Sequence, residues 1–92
     1  MDSRVITADS VPQLRRGVRL SFDHVRETHV LLFPEGVLVP NTTAAAVLEL
    51  CDGARSVTEI TTALSQRYSG VVAQDVVSVL TRLGERRVVA WT

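Results

Sequence analysis

A short apolar stretch, LLFPEGVLVPNTT at residues 31–43, limits the folds open to this chain because it is broken twice. Pro34-Glu35-Gly36 interrupts it, and Pro40 stops it. Proline lacks a backbone N–H and glycine favours turns, so the stretch divides into a strand, a second very short strand at residues 37–39, and a helix start. An apolar edge strand is normally protected against added chains unless the edge is itself a binding surface.

The residues before this stretch predict a β-hairpin. Residues 18–23 alternate apolar and polar side chains, and HVLLF follows after a short polar link. A period of two indicates a strand with one buried face. A two-residue and a three-residue loop would turn the second strand in opposite directions, so the register of the hairpin stays open.

The residues after the stretch predict three helices. Asn41 or Thr42 begins the first helix, which ends at Asp52-Gly53, and the motif SVTE predicts a capping box at the start of the second helix. The third covers roughly residues 72–86, with Val76, Leu80 and Leu83 on one face and Gly84 weakening its last turn. VVAW near the C-terminus is either a short final strand or a packed tail.

This order predicts one α+β domain, a three-stranded antiparallel sheet followed by three helices that cover one of its faces. Residues 1–17 are expected to form a loosely ordered N-terminal arm, and residues 18–92 the domain. The chain has 92 residues, and its N-terminus has no apolar segment typical of a signal peptide. A cytoplasmic protein is expected.

Composition and motifs favour a binding protein over an enzyme. The net charge is +0 and Cys51 is the only cysteine, so neither a strong field for nucleic acid nor a cysteine-rich metal site is expected. His24 and His29 lack a third ligand, no Ser/Cys-His-Asp set is present, and the glycines are dispersed. No catalytic residue, metal or cofactor is predicted.

Three helices beside a hairpin also suggest a winged-helix DNA-binding regulator. Recognition helices read bases from their early turns. The early turns of the third predicted helix offer Gln74, Asp75 and Ser78, with no positive charge before Arg82. This alternative is therefore disfavoured.

The longer pattern resembles a known family. LRRGVRLSFD, HVLLFPEG, AAAVLELCDG after Asn41, and SVTEI with the later RY occur in the order found in PqqD, the peptide-chaperone family of pyrroloquinoline quinone biosynthesis. The resemblance covers about residues 12–88. Two positions depart from the family pattern: Arg16, where the family often has proline, and Pro40, where it usually has leucine.

The resemblance implies a winged helix-turn-helix-like recognition element without catalytic activity. Such domains bind a ribosomally made precursor peptide and present it to a modifying enzyme. For PqqD, the peptide contains the Glu and Tyr that become the cofactor, and the enzyme is a radical S-adenosylmethionine protein with iron–sulfur clusters. The same fold serves other ribosomal-peptide pathways, which remains an alternative.

The resemblance also implies a site, in which the peptide adds as an antiparallel strand to the third strand and lies against the third helix. We expect the backbone edge at Val37, Leu38 and Val39, and an apolar floor at Val76 and Val79. Arg82 and Arg86 are expected to meet peptide carboxylates, and Asp75 lies on the same side of that helix. Pairing of the edge with a second copy of the chain, giving a homodimer, is the competing interpretation.

Overall fold

A computed structural model describes residues 5–92 and has two small sheets and three helices. The strands are β1 (Pro12–Leu14), β2 (Arg19–Asp23), β3 (Thr28–Phe33), β4 (Gly36–Leu38) and β5 (Val89–Trp91). The helices are α1 (Thr42–Glu49), α2 (Val57–Arg67) and α3 (Ala73–Glu85), and they lie between β4 and β5 in the chain. The predicted α+β fold, a three-stranded antiparallel sheet β2-β3-β4 followed by three helices, is confirmed.

The core lies between the inner face of this sheet and the helices. Alternation along β3 and its neighbours turns Leu20, Leu31 and Leu38 toward the core, where Leu31 is fully buried. The buried helix positions that meet them recur at helical spacing: Val47, Leu48, Val57, Ile60, Leu64, Val76, Leu80 and Leu83. Burial of such side chains is the main favourable term in folding a small domain.

The loop of the first hairpin has four residues, so neither the two-residue nor the three-residue loop considered from the sequence is found, and this longer loop sets the register. Asp23 pairs with Thr28, so residues 24–27 form the loop, and Glu27 adopts a positive φ of 53°. Asp23 Oδ1 accepts hydrogen bonds from the backbone N–H groups of Val25 and Arg26. This register places Phe22 opposite His29, and the rings of both histidines lie edge-on to Phe22 at centroid distances of 5.0 and 5.1 Å.

Local sequence signals start α1 and α2 as predicted, but α1 ends earlier than predicted, at Glu49 with Leu50 as its C-cap, and not at Asp52-Gly53. Asn41 Oδ1 accepts from the N–H of Ala44 at 2.8 Å. In the capping box, Ser56 Oγ accepts from the N–H of Glu59 at 3.1 Å, and Glu59 Oε1 accepts from the N–H of Ser56 at 2.8 Å. These bonds satisfy backbone N–H groups that the starts of helices leave unpaired. Gly53 has a positive φ of +77°, but it lies three residues beyond the C-cap of α1 and donates its N–H to Pro12 O and not to a carbonyl of the helix.

The prediction of a loosely ordered arm is wrong for residues 12–14, which form β1 and pair with β5 in a second, two-stranded sheet. The backbone of this segment also bonds to the helical part of the chain: Ser10 O accepts from the N–H of Val57, and Pro12 O accepts from the N–H of Gly53. Residues 1–4 of the predicted arm lie outside the described residues. Of the two alternatives for VVAW, the strand is the one found.

Gly84 has a packing role that the sequence did not reveal. A Cβ at this position would lie 2.7 Å from Cη2 of Trp91 and 2.8 Å from its Cζ3. The Trp91 ring therefore packs directly on the α3 backbone, and only glycine leaves room for it.

We predict that Gly84→Ala lowers stability, although the same change inside an exposed helix normally gains about 1 kcal/mol. The clash with Trp91 should cost about 1–3 kcal/mol as overpacking. Urea unfolding of wild type, Gly84→Ala, Trp91→Ala and the double variant measures this. In the Trp91→Ala background, the added methyl should be neutral or stabilising; an equal loss in both backgrounds would contradict the packing explanation.

Cys51 belongs to the core, and its Sγ donates to the backbone oxygen of Val47 at 3.3 Å. Burial, and next the charge of Asp52, raise the pKa of its thiol from 9.0 to about 12. The folded thiol therefore stays protonated at pH values where the unfolded one ionises.

We predict that the free energy of unfolding decreases above pH 9 by up to about 1.4 kcal/mol per pH unit, because only the unfolded chain loses the Cys51 proton there. Below pH 9 the contribution is fully present, and it is lost as pH rises towards 12. Urea titrations between pH 8 and pH 11 measure it. Cys51→Ala should be less stable than the wild type at pH 8 but should lack this decrease, so the stability difference between the two proteins should shrink as the pH rises; the same slope in both proteins would refute the explanation.

Candidate peptide-binding edge and groove

Strand β4 forms one edge of the three-stranded sheet. It pairs with β3 alone, in the register Leu31 to Leu38, Leu32 to Val37 and Phe33 to Gly36. Within residues 5–92, no strand lies on its other side. The main-chain groups of β4 that point away from β3 are therefore open to an added strand.

The tight turn at Pro34-Glu35 determines which backbone N–H and C=O groups of β4 point away from β3. A two-residue connection makes Phe33 and Gly36 a hydrogen-bonded pair. Antiparallel pairs alternate between bonded and non-bonded, so the backbone of Leu38 faces β3, and the N–H and C=O of Val37 face the open edge. Of the predicted edge residues, Val37 thus offers its backbone from within the strand.

The side chains of the edge divide in the same alternating way. Leu38 packs against the core, whereas Val37 is 64 % exposed. Val39 is 54 % exposed and lies one residue beyond the end of β4. Pro40, which follows, is buried and has no N–H to donate, so the ladder cannot continue through it.

A cavity of about 540 Å³ lies beyond this end of the strand, between the start of α1, the end of α2 and the length of α3. Its walls include four of the predicted site residues, Asp75, Val76, Val79 and Arg82. Residues 37–39 and Arg86 are not among its lining residues. The structure therefore brings together the α3 residues of the predicted site in one cavity, whereas the β4 edge lies outside that cavity. The two are adjacent in the chain, because residues 41–43, directly after Pro40, line the cavity.

The apolar floor of this cavity has a buried and an accessible part. Val76 is only 1 % exposed and belongs to the core, while Val79 is half-buried. The two residues are one helical turn from each other on α3. Val79 is thus the more available of the two predicted floor residues to a ligand.

The predicted charged residues have different surroundings. Asp75 Oδ2 accepts from the N–H of Val72 at 3.1 Å, which stabilises the start of α3. Arg82 is exposed on the cavity wall, and Arg86 follows the end of α3 and donates its backbone N–H to Arg82 O at 3.2 Å. Among the described residues, neither guanidinium has a carboxylate partner, so Arg82 presents an unneutralised charge to the cavity.

Sequence reasoning missed Tyr68 and Thr42 as lining residues. Tyr68 continues the helical spacing of the apolar residues Ile60 and Leu64, but α2 ends at Arg67, and the extended backbone of Tyr68 takes the chain toward the turn at Gly70. Its ring is 39 % exposed, and the Arg67 guanidinium lies 5.5 Å from the ring centroid. The YSG motif after the helix was the only signal that could have shown it.

His29 Nε2 lies 4.0 Å from Glu49 Oε2, but in residues 5–92 no three His, Cys, Asp or Glu side chains are close enough together to hold a metal ion. No helix in that range has the length and apolar character needed to cross a bilayer.

Comparisons with known proteins agree on one family. The family model for Coenzyme PQQ synthesis protein D (PqqD) matches residues 28–89. The PqqA binding protein of Pseudomonas aeruginosa is 43 % identical over 74 residues, covering 78 % of this chain and 80 % of that protein. The PqqA binding protein of Klebsiella pneumoniae is 47 % identical over 73 residues, covering 77 % and 79 %.

A longer relative and a solved structure extend the match. The bifunctional coenzyme PQQ synthesis protein C/D of Methylorubrum extorquens is 41 % identical over 85 residues, which cover 89 % of this chain and 23 % of that protein. The solution structure of the PqqD truncation of Methylobacterium extorquens PqqCD, described as a functional, stand-alone recognition element for ribosomally synthesised and modified peptides, superposes with a TM-score of 0.78. It is 40 % identical, and the superposition covers 92 % of this chain and 94 % of that one. With its sheet edge, its groove and these matches, the chain belongs to the PqqD family.

Proposed function

We propose that this protein binds a PqqA-type precursor peptide as an additional antiparallel strand on β4 and presents it for modification in pyrroloquinoline quinone biosynthesis. The open edge of β4 beside the α1–α3 cavity is the observation that carries the proposal. The names of the relatives, PqqA binding protein and recognition element, support the same ligand class.

The division of binding energy follows from the geometry. Backbone hydrogen bonds to an added strand supply affinity that does not depend on sequence, and pockets for alternate side chains supply selectivity. Val37 provides the N–H and C=O for the backbone hydrogen bonds, and the cavity provides the pocket for peptide side chains. Val79 and Tyr68 offer apolar contact there, and Arg82 offers a cation for a peptide carboxylate.

In this proposal the chain contributes recognition and the reaction takes place on a partner enzyme, a radical S-adenosylmethionine protein. The fusion of this domain to another synthesis protein in Methylorubrum extorquens supports work beside an enzyme. The single cysteine is a protonated core residue and not an available nucleophile. We place this activity in the cytoplasm, where a ribosomal peptide is first available.

We predict that Val37→Pro weakens binding of PqqA by roughly tenfold or more, because proline removes the N–H that faces the open edge. The change leaves the Leu38-to-Leu31 pair in place, since that bond lies on the other side of the strand. The measurement is calorimetric titration with the PqqA peptides of Pseudomonas aeruginosa and Klebsiella pneumoniae, with duplex DNA as a negative control.

Val37→Thr is the matched control for this test. It keeps the backbone donor and the β-branched shape, so it should bind far more tightly than the proline variant. Amide spectra of the helices should be the same in both variants. If neither peptide binds the wild type, or if Val37→Pro binds as well as Val37→Thr, the strand-addition proposal is wrong.

We predict that Arg82→Gln weakens PqqA binding about three- to tenfold at low salt and less at high salt, because an exposed charge contact is screened by ions. Arg87→Gln removes the same charge next to the end of α3 but outside the cavity, and it should have little effect. Titrations of both variants at two salt concentrations compare them. Equal losses would point to the general field of the arginines instead of a contact at Arg82.

A further inference from the structure

The outer face of the three-stranded sheet, which points away from the helices, changes in polarity from one edge to the other. The register and the alternation of side chains place Arg19, Ser21 and Asp23 of β2 on this face. On the same face, Val30 and Leu32 of the middle strand β3 and Val37 of the edge strand β4 are apolar. The face is therefore polar at the β2 edge and apolar at the β4 edge.

The three apolar residues form a contiguous patch, which we call the outer patch (Val30, Leu32 and Val37). Leu32 and Val37 are directly opposite each other, and Val30 is two residues before Leu32 on the same face. Val30 and Leu32 are half-buried, and Val37 is 64 % exposed. The cation of Arg19 lies in the same row as Leu32 and Val37, but it is two strands away from the open edge.

An edge strand with exposed apolar side chains and no charge on its outer face lacks the protection that sheet edges normally carry. Inward packing does not require Val37, because Leu38 and not Val37 faces the core. The position of Val37 is therefore unfavourable in the free protein, and it becomes favourable when another side chain covers it.

An added strand would supply such a side chain. It continues the pleat of the sheet, so its side chains point alternately to the helix side and to the outer face. A residue opposite Val37 on the outer face comes within about 4.5–5.5 Å between Cβ atoms, the distance of a cross-strand pair. The groove between the helices can contact only the other row.

We infer that the precursor peptide is recognised on both of its rows: one row enters the helix side, and the outer row pairs with Val37 and continues the outer patch. This inference rests on the proposed function and adds a selectivity rule to it. The ligand class is a peptide segment with an apolar, β-branched or aromatic residue at the position opposite Val37. A charged residue at that position is rejected because it would face an apolar surface with no partner of opposite charge.

The test introduces one charge at the edge of this patch. Val37→Lys keeps the backbone N–H, and lysine is well tolerated on edge strands, so the fold and the strand edge remain. We expect it to bind the PqqA peptides of Pseudomonas aeruginosa and Klebsiella pneumoniae roughly fivefold or more weakly than the wild type does. Ser21→Lys adds the same charge to the same face on β2, and its binding should equal that of the wild type.

A second arm identifies the partner residue. A set of PqqA peptides in which each residue in turn is changed to Glu is titrated against both the wild type and Val37→Lys. One outer-row Glu peptide should bind the wild type poorly and regain binding to Val37→Lys, because the lysine pairs with the introduced carboxylate. Its sequence neighbours, which point to the helix side, should show no such rescue.

The outcomes separate this inference from the proposed function. If Val37→Pro abolishes binding but Val37→Lys binds like the wild type, strand addition holds and outer-row recognition is overturned. If Val37→Lys changes only the molecular mass in solution and not peptide binding, the outer patch pairs copies of this chain and the inference is again overturned. If Val37→Pro also binds normally, the proposed function itself fails.

Discussion

The two-residue connection at Pro34-Glu35 is the constraint on which the site depends. It makes Phe33 and Gly36 a bonded pair, and all positions that follow on β4 inherit their orientation from that pair. Leu38 turns its backbone to β3 and its side chain to the core, while Val37 turns both its backbone and its side chain away from the protein's own structure. A connection one residue longer would exchange these roles and leave the edge with a leucine in solvent.

Local signals were sufficient wherever the structure is determined by neighbours in the sequence. Asn41 caps α1, and Ser56 and Glu59 form their reciprocal bonds at the start of α2. The end of α1 was predicted too late, at Gly53, because that glycine takes its positive φ in a loop whose N–H bonds to Pro12 O and not at the end of the helix. Two features escaped because their partners are distant in the chain. β1 pairs with β5, which lies near the other end of the sequence, and the need for glycine at position 84 is explained only by the ring of Trp91. Neither PQL nor a lone glycine carries any sign of those partners.

The candidate site was predictable to a different extent on its two sides. The α3 residues were found because a helical stripe and a family resemblance coincide, and Val79 and Arg82 do line one cavity. Their individual roles were beyond the sequence, since Asp75 serves the start of its own helix and Val76 is core. Tyr68 was missed because apolar spacing continues past the point where the α2 backbone ends, so a pattern of side chains alone cannot show that the residue has left the helix.

The short strand and Pro40 together determine how specific such an edge can be. Three residues of β4, one of which offers its backbone outward, give an added strand few hydrogen bonds, and Pro40 prevents more. Backbone pairing of that length is weak and accepts almost any extended peptide. Selectivity must therefore come from side chains, and the groove beyond Pro40 contacts only one row of them. A ladder this short needs the second row as well, which gives the uncharged outer face of β4 a function that the fold alone does not require.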